Sequence, residues 1–233
     1  MPSLPPAISL AQTAQGEGPL VIGLHDLGRR GSTMAEALEP LTQEGFRVVV
    51  PDLRGHGDSP SPHGPWSIDD FASDVARLAA REGGGAIAVG VGLGAATALA
   101  VALGHPGMIG GLVLSGLGSR AEDPEGRERW GLVARVLRER HQAEGVALAA
   151  EAMSTRPDWR GALAQVEVPV EILAGSTDRA ASPKSQRELA VWIRGARFHV
   201  VSDASHDLAA ERPGELVDAA RRVAAQERQA VAA

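Results

Sequence analysis

Three glycines at alternate positions, Gly90-Val91-Gly92-Leu93-Gly94, join the apolar run Ala86–Val91 to the nearly all-apolar stretch Leu93–Leu103. A strand that turns this sharply into a buried helix has two chemical uses. One is to cradle a dinucleotide phosphate. The G-x-G-x-x-G pattern, however, needs its third glycine at another spacing and normally opens the first βαβ unit. Here Ala95 and Ala96 follow Gly94, and two strand candidates come earlier. The other use is a nucleophile elbow, G-x-S-x-G, which lifts a serine hydroxyl above a sheet. The outer glycines fit that pattern, and Gly92 occupies the serine's slot.

Four further segments give the elbow a context. Asp52-Leu53-Arg54-Gly55-His56-Gly57-Asp58-Ser59 follows an apolar run as a D-x-R-G-x-G-x-S loop. Leu24-His25-Asp26-Leu27-Gly28 follows an earlier one. Gly175-Ser176-Thr177-Asp178 and Ala204-Ser205-His206 come late, the second followed by Glu211 and Pro213. In these motifs, and in the order nucleophile, acid, histidine, the chain resembles the α/β-hydrolase superfamily over nearly its whole length. The resemblance implies that His206 shuttles a proton from a near-neutral pKa and that Asp178 fixes its tautomer. It also makes the Leu27 and Leu93 amides the oxyanion donors and puts His25 at the pocket floor.

Two positions depart from that family. Gly92 carries no nucleophile, so the usual acyl-enzyme has nowhere to form. Asp26 stands where the family has glycine. Pointing inward, it opposes a developing negative charge; pointing outward, it reaches solvent or pairs with Arg29 or Arg30. Together the two departures resemble, locally, the N-myc downstream-regulated family, whose members have the hydrolase fold and are regarded as lacking hydrolase activity. This chain is shorter and keeps both His206 and the Arg-Gly-His-Gly loop. Of the other serines, Ser115 is best placed to replace the missing one; Ser59, Ser202 and Ser205 lie on loops.

Alternating strand and helix patterns must position these residues, which predicts an α/β fold with a mostly parallel sheet flanked by helices. The strand candidates are Leu20–Leu24, Phe46–Pro51, Ala86–Val91, Gly111–Ser115, Val168–Ala174 and Phe198–Val201, with an edge strand within Pro5–Gln15. Ser67 reads as an N-cap before a helix whose apolar face is Ile68, Phe71, Val75 and Leu78. Further helices are expected at Pro183–Trp192 and Pro213–Gln226. Residues 120–165 read as a short helical cap insert within a single domain of 1–233, with Trp130, Val133, Val136 and Leu137 on one face. Trp66, Trp130 and Trp159 either reach the pocket mouth or pack beneath the insert. The arginines from Arg127 to Arg140 interleave with glutamates as a solvated face.

Composition narrows the partners. The chain has 233 residues, 44% hydrophobic and 22% charged, enough to build a core. A net charge of −6 argues against a general nucleic-acid binder. With no cysteine there is no thiolate nucleophile and no cysteine-ligated metal. His63, His105, His141 and His199 lack metal-ligand spacing, and no cofactor is expected. No apolar run has membrane-spanning length, and the first residues lack a signal-peptide pattern, so a cytoplasmic location is expected. Three functional readings follow for a small carbonyl or ester compound. One is non-covalent chemistry with His206 as general base: lyase, isomerase, cyclase, cofactor-free oxygenase or slow hydrolase. Another is a non-catalytic protein binding a ligand or partner. The third is a serine esterase, lactonase or C–C hydrolase carrying an inactivating Ser→Gly change.

Overall fold

The computed structural model describes residues 8–231 apart from Gln142. Among these, the strands β1 (Gln12–Gln15), β2 (Leu20–Leu24), β3 (Arg47–Pro51), β4 (Ala86–Val91), β5 (Ile109–Ser115), β6 (Val170–Gly175) and β7 (Arg197–Val201) form one sheet in the order β1-β3-β2-β4-β5-β6-β7. Only β1 runs antiparallel, pairing with β3. It realises the expected edge strand, whose residues 5–7 lie outside the described part.

Strand side chains alternate between the faces, as the two-residue pleat requires. Ile22, Leu24, Ala88 and Leu112 join the core under α2 (Ile68–Arg81) and α3 (Leu93–Gly104). Val21, Ile87, Val89 and Val113 join the core under α1 (Gly31–Gln43) and α8 (Pro213–Val231). The α3 helix has no polar face because it is buried, down to Thr97, whose hydroxyl donates to the Leu93 carbonyl at 2.8 Å. At the start of α2 the Ser67 amide donates to Asp70 Oδ2 at 2.7 Å, half of a reciprocal cap.

Between β5 and β6 a helical insert, α4 (Pro124–His141) and α5 (Glu144–Ser154), forms a cap. The α4 face that packs is Ala134 with Trp130 and Leu137. Val133, expected on that face, is exposed, because the contact follows the narrow seam against Ala147 and Ala150. Arg138 holds the two helices together, donating to Glu151 Oε1 at 2.6 Å and Glu144 Oε2 at 2.8 Å. The shorter helices α6 (Pro183–Trp192) and α7 (Leu208–Glu211) complete the chain.

The chain leaves β2 for β3 on one side, then returns to place β4 on the other. Open α/β sheets bind ligands outside the carboxyl ends of strands at such a reversal. Asp26 lies two residues past the end of β2, and Gly92 directly follows β4.

Candidate active site

Gly92 makes the elbow. Its φ of 52° lies in the left-handed region, and it caps the N-terminus of α3. Gly94 lets the first turn of α3 close against β2: a Cβ there would overlap the Leu24 carbonyl. The Leu93 amide at this helix start and the Leu27 amide of the turn after β2 converge, as oxyanion donors should.

They converge on Asp26. Asp26 Oδ1 accepts from the Leu27 amide at 2.7 Å and the Leu93 amide at 2.9 Å. The side chain therefore points inward and does not pair with Arg29, which takes Asp207 at 2.8 Å, or with Arg30, which faces Asp58 at 3.9 Å. Gly92 is the condition for this placement, since a Cβ at residue 92 would overlap Asp26 Oδ1. The two departures from the hydrolase pattern are thus one packing solution: a carboxylate fills the space that a serine side chain would take.

His206 is held between two carboxylates. Its Nδ1 lies 2.9 Å from Asp178 Oδ2, and its Nε2 lies 3.3 Å from Asp26 Oδ2. Both nitrogens face acceptors, which only the doubly protonated ring can satisfy. Burial pulls the imidazole pKa down, but the hydrogen bonds and charges of Asp178 and Asp26 overcome it and hold the group at about 10. The near-neutral His206 expected from the sequence is therefore corrected. Burial raises the Asp26 carboxyl, while His206 and the two amides outweigh it and hold Asp26 below the usual carboxylate range. Gly116 lets the ring lie close: a Cβ there would sit 2.7 Å from His206 Cε1.

Asp178 is fixed in turn. Its Oδ1 accepts from the amides of Ala180 at 2.8 Å and Ala181 at 2.9 Å. Gln186, fully buried on α6, donates to Asp178 Oδ2 at 3.3 Å and accepts from the Gly116 amide at 2.8 Å. No motif singles out Gln186; its complete burial as a polar residue on a short helix is visible only in three dimensions.

His25 is not at the pocket floor. Its ring is 1% exposed, its Nε2 accepts from the Leu53 amide at 2.9 Å, and its Nδ1 donates to the Asp26 carbonyl at 2.8 Å. His56 repeats the arrangement, accepting from the Gly28 amide at 3.1 Å and donating to the Arg54 carbonyl at 3.0 Å. Burial, with His56 nearby, pushes His25 down to about 4, and burial lowers His56 as well. Two neutral imidazoles thus brace the turn that carries Asp26. Ser115, the best-placed alternative serine, is buried, its hydroxyl has no hydrogen-bond partner, and it does not line the cavity beside His206.

Asp26, Gly92 and His206 open onto a cavity of about 560 Å³ under the cap, within the range of small-molecule sites. Leu117, Trp130 and Met153 contribute apolar wall, and Arg129 and Arg156 also line the cavity. Of Trp66, Trp130 and Trp159, Trp130 lines the cavity. Trp66 packs edge-on against Phe71, and Trp159 lies beside the Arg156 guanidinium. Among the described residues, no group of three or more His, Cys, Asp or Glu is arranged to hold a metal. No helix there is long and apolar enough to cross a membrane.

The fold and the converging strand ends define an α/β hydrolase. The chain belongs to that family: the alpha/beta hydrolase family model matches residues 21–219. A pimeloyl-acyl-carrier-protein methyl ester esterase of Methylococcus capsulatus is 30% identical, over 82% of this chain and 89% of its own length. A thermophilic esterase from Thermogutta terrifontis superposes with a TM-score of 0.88 at 27% identity, covering 97% of this chain and 96% of that one. An enol-lactonase from Burkholderia xenovorans superposes with a TM-score of 0.80 at 27% identity, covering 91% and 94%.

Proposed function

We propose that this chain is a hydrolase of a small compound with an electrophilic carbon bonded to oxygen (an ester, a lactone or a related C–O bond), in which Asp26, His206 and Asp178 replace the serine triad. The observation that carries the reading is the unbroken row from the two amides through Asp26 to His206 and Asp178. The esterase and lactonase similarities support the substrate class, and the cavity volume supports its size.

The chemistry differs from a neutral general base. At neutral pH His206 is an imidazolium beside an ionised Asp26. It gives a proton first, to a leaving oxygen, and becomes a base afterwards. Asp178 orients the ring and stabilises its charge throughout. The Leu27 and Leu93 amides hold Asp26 Oδ1 and are the donors for negative charge that rests on that oxygen.

The filled amide pair also favours a second reading, a non-catalytic binding protein whose oxyanion site is permanently closed by its own carboxylate. Turnover of 4-nitrophenyl acetate, γ-valerolactone and styrene oxide separates the two. A hydrolase turns over at least one of them, and His206→Gln lowers that rate by about 10²–10⁴-fold, the usual worth of positioned proton transfer. No product from any of the three, with or without His206, would leave the non-catalytic reading standing.

A further inference from the structure

We propose that Asp26 is itself the nucleophile and that its substrate is a small epoxide, attacked at a saturated carbon. The inference rests on the hydrolase reading above and moves the electrophile away from a carbonyl group.

The two oxygens of Asp26 are not equivalent. Oδ1 is tied to two amides, whereas Oδ2 faces His206 at the cavity. A carboxylate held in this way attacks with Oδ2 and becomes an ester whose carbonyl oxygen, Oδ1, already lies in the amide pair. When that ester is hydrolysed, the tetrahedral intermediate places its negative charge on Oδ1, where the donors are in place beforehand. A carbonyl substrate gains no such help, because its own oxyanion would need the amides that Asp26 occupies. The filled pair therefore selects an electrophile that develops no carbonyl oxyanion on attack, which is a saturated carbon.

Proton accounting selects among saturated carbons. The resting pair is a carboxylate and an imidazolium. As Oδ2 bonds to the epoxide carbon, the C–O bond of the ring breaks and the released alkoxide takes the proton from His206 Nε2. That nitrogen lies 3.3 Å to the side of the attacking oxygen. It can reach the departing oxygen because a three-membered ring keeps that oxygen tethered to the adjacent carbon. The products are a hydroxyalkyl ester on Asp26 and a neutral His206, and the carboxylate charge that held the imidazole protonated has been consumed. Neutral His206 then takes a proton from water, and the hydroxide adds to the ester carbonyl. Collapse of the intermediate expels the diol oxygen, which recovers the proton from His206. The Asp26 carboxylic acid then returns a proton to His206, restoring both charges. One epoxide and one water give one diol. An alkyl halide takes up no proton on opening, so it would make no use of the imidazolium beside Asp26. Leu117, Trp130 and Met153 suit an aryl or alkyl substituent.

The test is a single turnover of styrene oxide by excess intact protein in water enriched in the heavy oxygen isotope, with the diol and the peptide containing Asp26 both read by mass spectrometry. The expected result is a diol without the heavy isotope and an Asp26 carboxyl that has gained it, because water enters the enzyme's ester and Oδ2 leaves with the product. Asp26→Asn should lower diol formation by about a thousandfold or more, as loss of a nucleophile does. The label needs no variant, so it stands even if Asp26→Asn misfolds. Heavy isotope in the diol and none in the peptide would overturn the inference while leaving the hydrolase reading intact, as would hydrolysis of 4-nitrophenyl acetate with no diol. Failure with both compounds and with γ-valerolactone would overturn both.

Discussion

Residues 26 and 92 behave as one exchange rather than two losses. Moving the oxygen nucleophile's place from the elbow to the oxyanion turn requires glycine at the elbow, because a Cβ there overlaps Asp26 Oδ1. A lone Gly92→Ser therefore does not restore a serine triad; it strains the site and leaves the amides occupied. The double change Asp26→Gly with Gly92→Ser empties the amide pair and supplies the hydroxyl. It should gain 4-nitrophenyl acetate hydrolysis and organophosphate labelling that the single change lacks, by about 10²-fold or more, the worth of a single oxyanion donor. Equal labelling of single and double variants would contradict this account. The sequence shows both unusual residue types, and they mark the site correctly. It does not show their fit, since residues 26 and 92 are far apart in the chain and their contact depends on a missing atom.

At the scale of elements, the most legible motif turns out to be scaffolding. In the loop after β3, Asp52 accepts from the Gly31 amide at the start of α1 at 2.7 Å and from the Asp58 amide at 2.9 Å, while the Ser59 hydroxyl donates to the Asp52 carbonyl at 2.6 Å. Arg54 turns into the core, 1% exposed, with its Nε 2.7 Å from Asp74 and its guanidinium beside Trp66 and Phe71. Removing one partner of a buried ion pair strands the other charge, so Arg54→Ala should cost about 3–5 kcal/mol in urea unfolding. A loss below 1 kcal/mol would show that Asp74 is rescued by Arg77, its other partner at 2.6 Å. The strands were readable because buried parallel strands are short β-branched runs bounded by turns. Helix α1 carries few of the usual local signals. Its N-cap is Arg30, which makes no side-chain capping bond, and Pro40 lies inside it. The bond that anchors its start comes from Asp52, 21 residues away.

At the scale of the whole molecule, the fold brings the ends of β2, β4, β6 and β7 to one edge and closes the cap over them. The reversal between β2 and β4 sets Asp26 against Gly92, while the loops after β6 and β7 deliver Asp178 and His206. This convergence ties the site to global stability through proton linkage. Folding raises the His206 pKa from 6.5 to about 10, so the native state binds a proton that the unfolded chain releases. That contribution is fully present below pH 6.5 and is lost as pH rises toward 10. Unfolding free energy should fall across that window, and the slope should flatten in His206→Gln. A wild-type profile no steeper than that of the variant would contradict the linkage. Asp26 acts at the opposite end: its lowered pKa adds stability above its ordinary value of 3.8, lost as pH falls through the depressed one.

The most direct measurement is the titration of the His206 ring nitrogens by nitrogen-15 NMR in the intact protein, beside Asp26→Asn. Both nitrogens should remain protonated through neutral pH, with a midpoint near 10, and the midpoint should move down by more than one unit once the Asp26 charge is removed, since each unit reflects about 1.4 kcal/mol of interaction. A midpoint near 6.5 that Asp26→Asn leaves unchanged would mean that the carboxylate does not engage the imidazole, and the row of Asp26, His206 and Asp178 would have to be abandoned.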